Sequence, residues 1–401
     1  MMKKYFIFSE NRRLRSDLAE MLEGYIGGGI ADADYVLIDL TAQRGYTHKL
    51  LDILKSLCKR YDDFPWRSAV ILLPDTMQPE GRTEEYLAQG MCKSFACEAA
   101  EHNFIVNIIL CGGYDRRLAE LCAFFSSERA YMTAQVIKPD LSAAAAAMPD
   151  SPVALVTGSG QGIGLAALKE LKRLGFRVCL NDIRSSARIS ESIRSIGALN
   201  AVGDISDPAG IDDIINSVMR EYGRLDVFVA NAAYMHMESV SNLTESDFDK
   251  HIAVNVNGHM NLLERIIPVM KNQGGGRIIL MSSMFGTAGW RNAAAYAGTK
   301  AAMIGLGQAL SASLMQYGIR VGIVAPCIID TPQLAADAQS MGVTINEMKK
   351  IYARDIPLGR LGTAEDAAYL IGYLANGGAD ILSARIMQTG GGEVRTTAEY
   401  F

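Results

Sequence analysis

None of the seven cysteines (Cys58, Cys92, Cys97, Cys111, Cys122, Cys179, Cys327) forms a Cys-x-x-Cys pair, and their odd, scattered set indicates neither a disulfide framework nor a zinc site. The five histidines show no metal-ligand spacing, so no resident metal is expected. Reduced thiols in a cytoplasm are the expectation. No stretch approaches the roughly 18 uninterrupted apolar residues of a membrane span. The start MMKKYFIF runs into an alternating, strand-like pattern instead of an apolar signal core, so a soluble, unexported protein without membrane partners is expected. No Lys/Arg cluster interleaves with aromatics and the formal charge is −5, which argues against nucleic acid as a partner. What is present is an ordinary folded interior: 401 residues, 49% hydrophobic and 21% charged, enough for two or three domains.

The sharpest break in composition is LSAAAAAMPD at 141–150, where five alanines lie between Pro139 and the pair Pro149 and Pro152. Alanine runs favour helix, yet prolines on both sides favour a linker. Beyond it, short apolar runs rich in β-branched residues alternate with amphipathic stretches: VALVT, 163–174, VCLND, 209–222, LDVFVAN, 246–272, RIILMSS, 296–317 and RVGIVAP. That alternation predicts an α/β fold, a doubly wound parallel sheet whose strands are buried on both faces. The first half carries a fainter copy. GMCKSFACEAAEHNFIVNIILCG from Gly90 aligns with GLGQALSASLMQYGIRVGIVAPC from Gly305, with Val106 under Val321 at the same offset of 215. Further on, TAQVI at 133–137 resembles SARIM at 383–387 at an offset of 250, so the first half lacks about 35 residues. A decayed internal duplication explains three elements in shared order better than coincidence does.

Two groups of residues carry chemistry. TGSGQGIG at 157–164 follows the strand VALVT and opens a helix with Ile163, Ala167, Leu168, Leu171 and Leu174 on its apolar face. Glycines at 158, 162 and 164 let the backbone approach a pyrophosphate, which the helix N-terminus attracts through its unpaired N–H groups. Asp182 lies eighteen residues past Gly164, where a carboxylate accepts hydrogen bonds from the adenosine 2′-OH and repels a 2′-phosphate. NAD(H) is therefore favoured, with NADP(H) as the alternative because Arg184 and Arg188 lie nearby. The second group is Ser283, Tyr296 and Lys300. Tyr and Lys four apart share a helix face, so the ammonium can lower the phenol's pKa towards the working pH.

On these residues, 151–395 resembles a short-chain dehydrogenase/reductase of the compact type. TGSGQGIG is similar to the family's TGxxxGxG loop, VANAA at 229–233 to its NNAG segment with Asn231 kept, and Asn255 in VNVNG to its catalytic asparagine. Ser283 precedes Tyr296 by the family's 13 residues, and YAGTK supplies Tyr296 and Lys300. APCIIDT at 325–331 stands where PGxxxT is expected, with Cys327 replacing glycine and putting the local backbone path in question. The resemblance implies a catalytic set of Asn255, Ser283, Tyr296 and Lys300. It also implies cofactor contacts from Gly158, Gln161, Gly162, Ile163, Gly164, Asp182, Ile183, Asp204, Ile205, Asn231, Tyr296, Lys300, Pro326, Ile329 and Thr331. A homodimer or homotetramer formed through the helices at 246–272 and 296–317 is implied as well.

In the duplicated register Tyr296 and Lys300 become Gly81 and Glu85, and nothing before residue 60 resembles a phosphate loop, since GYIGGGI at 24–30 follows a helix. The expected division is a degenerate, Rossmann-like, non-catalytic half over 1–140, a linker over 141–150 and a catalytic half over 151–401. Such two-part chains resemble the long 3-oxoacyl-carrier-protein reductases. Tyr234, Met235, His236, Met237, Met284, Phe285 and Trp290 are candidates for an apolar substrate pocket, or for packing, and 332–356 for its cap. His251 and His259 are expected on helix surfaces, and Thr244 as an N-cap. The expected function is interconversion of a ketone and a secondary alcohol by hydride transfer, with 3-oxoacyl thioesters, steroids or cyclic alcohols, and polyols as substrate classes. A non-catalytic NAD-binding sensor or scaffold is the alternative of a different class.

Overall fold

The computed structural model describes residues 4–22, 25–26, 33–43, 45–58, 67–76, 78–183, 187–340 and 342–393. Most of GYIGGGI, Arg184 and the Arg188 side chain lie outside the described residues. The chain forms two compact units: Met1–Ala143 with Asp337–Gly362 and Thr389–Phe401, and Ala144–Ala336 with Thr363–Gln388. No helix of the described residues is long and apolar enough to cross a membrane.

The first unit is built on a parallel sheet of β1 (Lys4–Phe8), β2 (Tyr25–Ile26), β3 (Tyr35–Asp39), β4 (Arg67–Pro74), β5 (Phe104–Cys111) and β6 (Val136–Ile137) in the order β2-β1-β3-β4-β5-β6. β3 and β5 are buried along their whole length because helices cover both faces. On one face Ile38, Ile71 and Ile108 pack with Leu50 and Leu54 of the helix Thr47–Cys58 and Phe95 and Ala96 of the helix Pro79–Ala100. Two later segments join this unit. Tyr131 donates its hydroxyl to the Arg360 carbonyl at 2.5 Å beneath the Arg360 guanidinium, and Gly390 N–H donates to the Tyr131 carbonyl at 3.0 Å.

The second unit is built on β7 (Val153–Val156), β8 (Arg177–Leu180), β9 (Leu199–Asn200), β10 (Val227–Ala230), β11 (Gly276–Met281), β12 (Ile319–Pro326) and, up to Gln388, a last strand, Ile386–Thr389. Their order is last strand-β12-β11-β10-β7-β8-β9, with β10 paired to β7 through Phe228 and Leu155, and to β11 through Val229 and Ile279. The direction of winding reverses between β7 and β10, and the crevice beyond the carboxyl ends of such strands is where ligands of α/β sheets bind. The alanine run is not helical. Its backbone is fixed by charged side chains instead: Arg320 donates to the Ala144 carbonyl at 2.7 Å, Arg277 to Ala146, and Asp380 accepts from Ala146 N–H and pairs with Arg277 at 3.0 Å.

One local device recurs in both units at the offsets read from the sequence. Thr133 and Ser383 each accept, through the hydroxyl, the N–H of Val106 and Val321, at 3.0 and 3.1 Å. The next residues, Ala134 and Ala384, have φ of 60 and 64 and donate to the Val106 and Val321 carbonyls. Left-handed alanines are uncommon, so the recurrence is specific. β5 and β12 begin and end 215 residues apart, and the helices before them begin 215 apart.

Candidate active site

Thr157–Gly160 turn sharply off β7 into the helix Gly162–Arg173. Gly158 has φ +60, and a Cβ there would sit 2.7 Å from the Ala232 backbone. A Cβ on Gly164 would sit 2.6 Å from both the Asn231 amide and the Gly158 carbonyl. Asn231 holds this turn, donating from Nδ2 to the carbonyls of Thr157 and Gly158 at 2.9 and 3.1 Å. The helix begins at Gln161 without a side-chain cap, whereas Asp207, Thr244, Ser283, Thr344 and Thr363 all cap their own helices. Its first N–H groups thus remain for an anion, in a turn too tight for a side chain at 158 or 164. These residues fit a dinucleotide's pyrophosphate.

Asp182 is buried two residues beyond β8 and accepts from the Gly160 N–H at 3.2 Å, which puts a carboxylate beside the turn. Ile183 next to it is exposed. Asp204 is engaged locally, accepting from the N–H and hydroxyl of Ser206 at 2.8 and 2.7 Å, and Ile205 is buried. Pro326 closes β12, Ile329 is buried, and the Thr331 methyl lies near the position a Cβ of Gly162 would take, at 3.9 Å. Cys327 is buried without a positive φ, so the glycine it replaces in the family pattern is not needed there for backbone freedom.

The chemical side is assembled around β11 and the helix Ala294–Leu314. Ser283 follows β11 and accepts the Phe285 N–H at 3.2 Å, which leaves its own proton to be donated. Tyr296 is half-buried, edge-on to Phe285 at 6.0 Å between ring centroids. One turn on, the Lys300 Nζ lies 5.5 Å from the Tyr296 ring centroid and donates to the Met281 carbonyl at 3.0 Å. Lys300 is 3% exposed, and burial pulls its pKa down from 10.5 to about 8. Asn255 is fully buried in a π-helical turn, Ala253–Gly258, that interrupts the expected helix over 246–272. Its Oδ1 accepts the Tyr234 N–H at 2.7 Å, and its Nδ2 donates to the Tyr234 carbonyl and the Thr299 hydroxyl at 2.9 and 3.0 Å. Thr299 in turn donates to the Tyr296 carbonyl at 2.8 Å, linking the asparagine to the tyrosine's own turn.

Two expectations are corrected. His251 and His259 are not surface residues; they are 0% and 1% exposed. His251 Nε2 accepts the His236 N–H at 3.2 Å while its ring meets Tyr234, and His259 reaches Thr157 and the Asn255 carbonyl. Each ring is turned inward to partners from other segments of the unit, which a surface position would leave to water. No group of three or more His, Cys, Asp or Glu side chains that could hold a metal ion occurs among the described residues. Of the pocket candidates, Met284 is buried, while Tyr234, Met235, Met237 and Phe285 are half-buried and His236 and Trp290 exposed, with Trp290 stacked on Phe285. Thr244 caps its helix through Asp247 N–H as expected.

The first unit shows different chemistry at the positions that the offset of 215 pairs with the second unit's, and at its first helix. Its β1 leads into the helix Arg12–Met21 through Asn11, whose side chain accepts from the N–H groups of Arg13 and Leu14, so the helix end is already filled. Glu85, at the position of Lys300, is fully buried with its carboxyl pushed up by desolvation and bonded to Gln89.

A sequence profile of the short chain dehydrogenase family matches residues 152–341. An uncharacterized oxidoreductase of Thermotoga maritima is 34% identical over 244 residues, 60% of this chain and 96% of the relative. Galactitol 2-dehydrogenase of Agrobacterium fabrum is 32% identical over 250 residues, 61% of this chain and 97% of the relative. Among solved structures, 3-ketoacyl-(acyl-carrier-protein) reductase from Brucella melitensis complexed with NADH matches at a TM-score of 0.56 and 27% identity, covering 61% of this chain and 98% of that one. L-sorbose reductase from Gluconobacter frateurii, complexed with NADPH and L-sorbose, matches at 0.59 and 25%, covering 62% and 98%.

Proposed function

From the premise that the chain belongs to the short-chain dehydrogenase/reductase family and is an oxidoreductase acting on small molecules, we propose that it interconverts a ketone and a secondary alcohol with NAD(H). The observation that carries the reading is the buried Lys300 ammonium one helical turn from Tyr296. A bound nicotinamide dinucleotide supplies the hydride or takes it up. Tyr296 gives its phenolic proton to the carbonyl oxygen in reduction and takes one from the alcohol in oxidation. The positive charge of Lys300, poorly screened in its buried site, favours the phenolate that remains. Ser283 donates its hydroxyl proton to the same substrate oxygen, orienting it and stabilising the charge that develops there. Lys300 also grips the nicotinamide ribose, and Asn255 supports a relay of protons to solvent while its side chain clamps the Tyr234 peptide. The uncapped turn from Gly158 through Gln161, Gly162, Ile163 and Gly164 takes the pyrophosphate, and the buried Asp182 favours ribose hydroxyls over a 2′-phosphate.

For the substrate, 3-oxoacyl thioesters are the first class, supported by the likeness to a 3-ketoacyl reductase, with polyols and ketoses second, supported by galactitol 2-dehydrogenase and L-sorbose reductase. The first unit is a non-catalytic copy of the second: the recurring Thr133/Ser383 device supports common descent, and the Asn11 cap and Glu85 support the loss of cofactor and proton chemistry. NADH oxidation against an acetoacetyl thioester, a cyclic diketone and a ketohexose tests the reading. Turnover of at least one carbonyl is expected, and NADH binding without any turnover across a broad panel would favour the sensor instead.

A further inference from the structure

His259 has no role in the chemistry above, yet it is the buried imidazole placed between the cofactor turn and the asparagine. Its Nδ1 lies 3.3 Å from the Asn255 main-chain carbonyl, and its Nε2 lies 3.2 Å from the Thr157 hydroxyl. The hydrogen-bond inventory decides the ring's state. A carbonyl can only accept, so Nδ1 carries a hydrogen. The Thr157 oxygen already accepts from the N–H groups of Asn231 and Ala232, at 2.9 and 3.1 Å, so both its lone pairs are taken and it has only its proton to offer, to Nε2 at 3.2 Å or to the Val229 carbonyl at 3.3 Å. Nε2 therefore faces an oxygen with no lone pair left for a further N–H, which makes it the acceptor of the nearer of the two bonds open to that proton and the ring neutral. Burial and the Lys300 charge act in the same direction, holding its pKa down at about 4 against a bonded carbonyl that pulls it up.

We propose that His259 is a positioning residue for this reaction, an imidazole protonated on Nδ1 that ties the Asn255 peptide to the Thr157 hydroxyl. This rests on the functional reading above, and it names a link that reading does not contain. On one side, Thr157 holds the Asn231–Ala232 backbone against which Gly158 turns, so that bond serves cofactor binding. On the other, the Asn255 carbonyl sits inside the π-helical turn whose side chain fixes Tyr234, so that bond serves the geometry of the chemical step.

Two substitutions separate the bonds. The amide of His259→Asn falls where Nδ1 was and keeps the donor to Asn255, whereas His259→Gln reaches the Nε2 position and keeps the contact to Thr157. A buried hydrogen bond lost on one side is worth about a tenfold effect. His259→Asn is expected to raise the NADH dissociation constant about tenfold with a smaller loss of kcat, and His259→Gln to lower kcat about tenfold with a smaller effect on NADH. Fluorescence titration with NADH and turnover of the best carbonyl of the panel supply these numbers. Independently of folding in any variant, ¹⁵N NMR of the histidine-labelled wild-type protein at neutral pH reports the tautomer, and Nδ1–H is expected. An Nε2–H or doubly protonated ring, variants that match the wild type, or equal losses in both would overturn the proposal. A wild type that binds no NADH and reduces no carbonyl would instead remove the functional reading, while the tautomer still tests the geometry.

Discussion

Replacing Lys300 with methionine should make the protein more stable and abolish its activity. The lysine keeps a charge where water cannot reach it, and its pKa falls from 10.5 to about 8 in the folded chain. That difference corresponds to about 3 kcal/mol of unfavourable burial. Against it stands the Met281 carbonyl, which accepts from Nζ at 3.0 Å and loses that partner in the variant, at about 1 kcal/mol. A net gain of about 2 kcal/mol remains, which for a unit of this size moves the melting midpoint up by about 5 °C. The pH dependence is the more searching test. Below about pH 8 the ammonium is charged in folded and unfolded chains alike, and the full cost is present. Between about 8 and 10.5 the folded chain has released a proton that the unfolded chain still holds, so the wild type gains stability as the pH rises and the variant's advantage shrinks. Above that window it reverses, and the lost Met281 bond leaves the variant about 1 kcal/mol less stable than the wild type. Thermal unfolding followed by circular dichroism at pH 7 and near pH 10.5, without NAD(H) because a ligand would stabilise the wild type by itself, measures both ends. A variant that melts below the wild type at pH 7, or an advantage that stays constant across the window, would refute the reasoning.

Tyr296→Phe should lower turnover by about 10²–10⁴ while leaving NADH affinity nearly intact, as steady-state kinetics and fluorescence titration would show. Asp182→Ala should narrow the preference for NADH over NADPH, and tighter binding of NADPH by the wild type would reverse the assignment of the cofactor. Light scattering at micromolar concentration should give a dimer or tetramer, formed through the helices from 245 to 272 and 294 to 314; a monomer would refute that interface.

Legibility in the sequence followed the range of the interactions involved. The turn at Gly158–Gly164 and the Tyr296–Lys300 spacing are local, and backbone strain or one helical turn dictates which residues can stand there. The burial of His259 is not legible because its side-chain partner, Thr157, lies 102 residues away. His251 is buried and bonded to the His236 N–H, fifteen residues away across a loop. The place of 337–362 was hidden for the same reason on a larger scale: Tyr131 meets Arg360 across 229 residues, and neither residue type announces the other. In the first unit only the strand-like start and the two repeated segments were readable, since β3 and β4 are short apolar runs that no motif marks.

That the polypeptide leaves its second unit at Ala336, returns at Thr363 and leaves again after Gln388 has a consequence for inheritance and for the bench. No single cut releases either unit. A gene fragment starting at the alanine run would encode Arg360 and Gly390 without the Tyr131 segment that bonds them, and a fragment ending there would strand Tyr131 and Thr133. Once such interleaving arose, deletion of the first half became a loss of partners for the second half's own late segments. The first half is thereby held in the chain by the later segments that it binds.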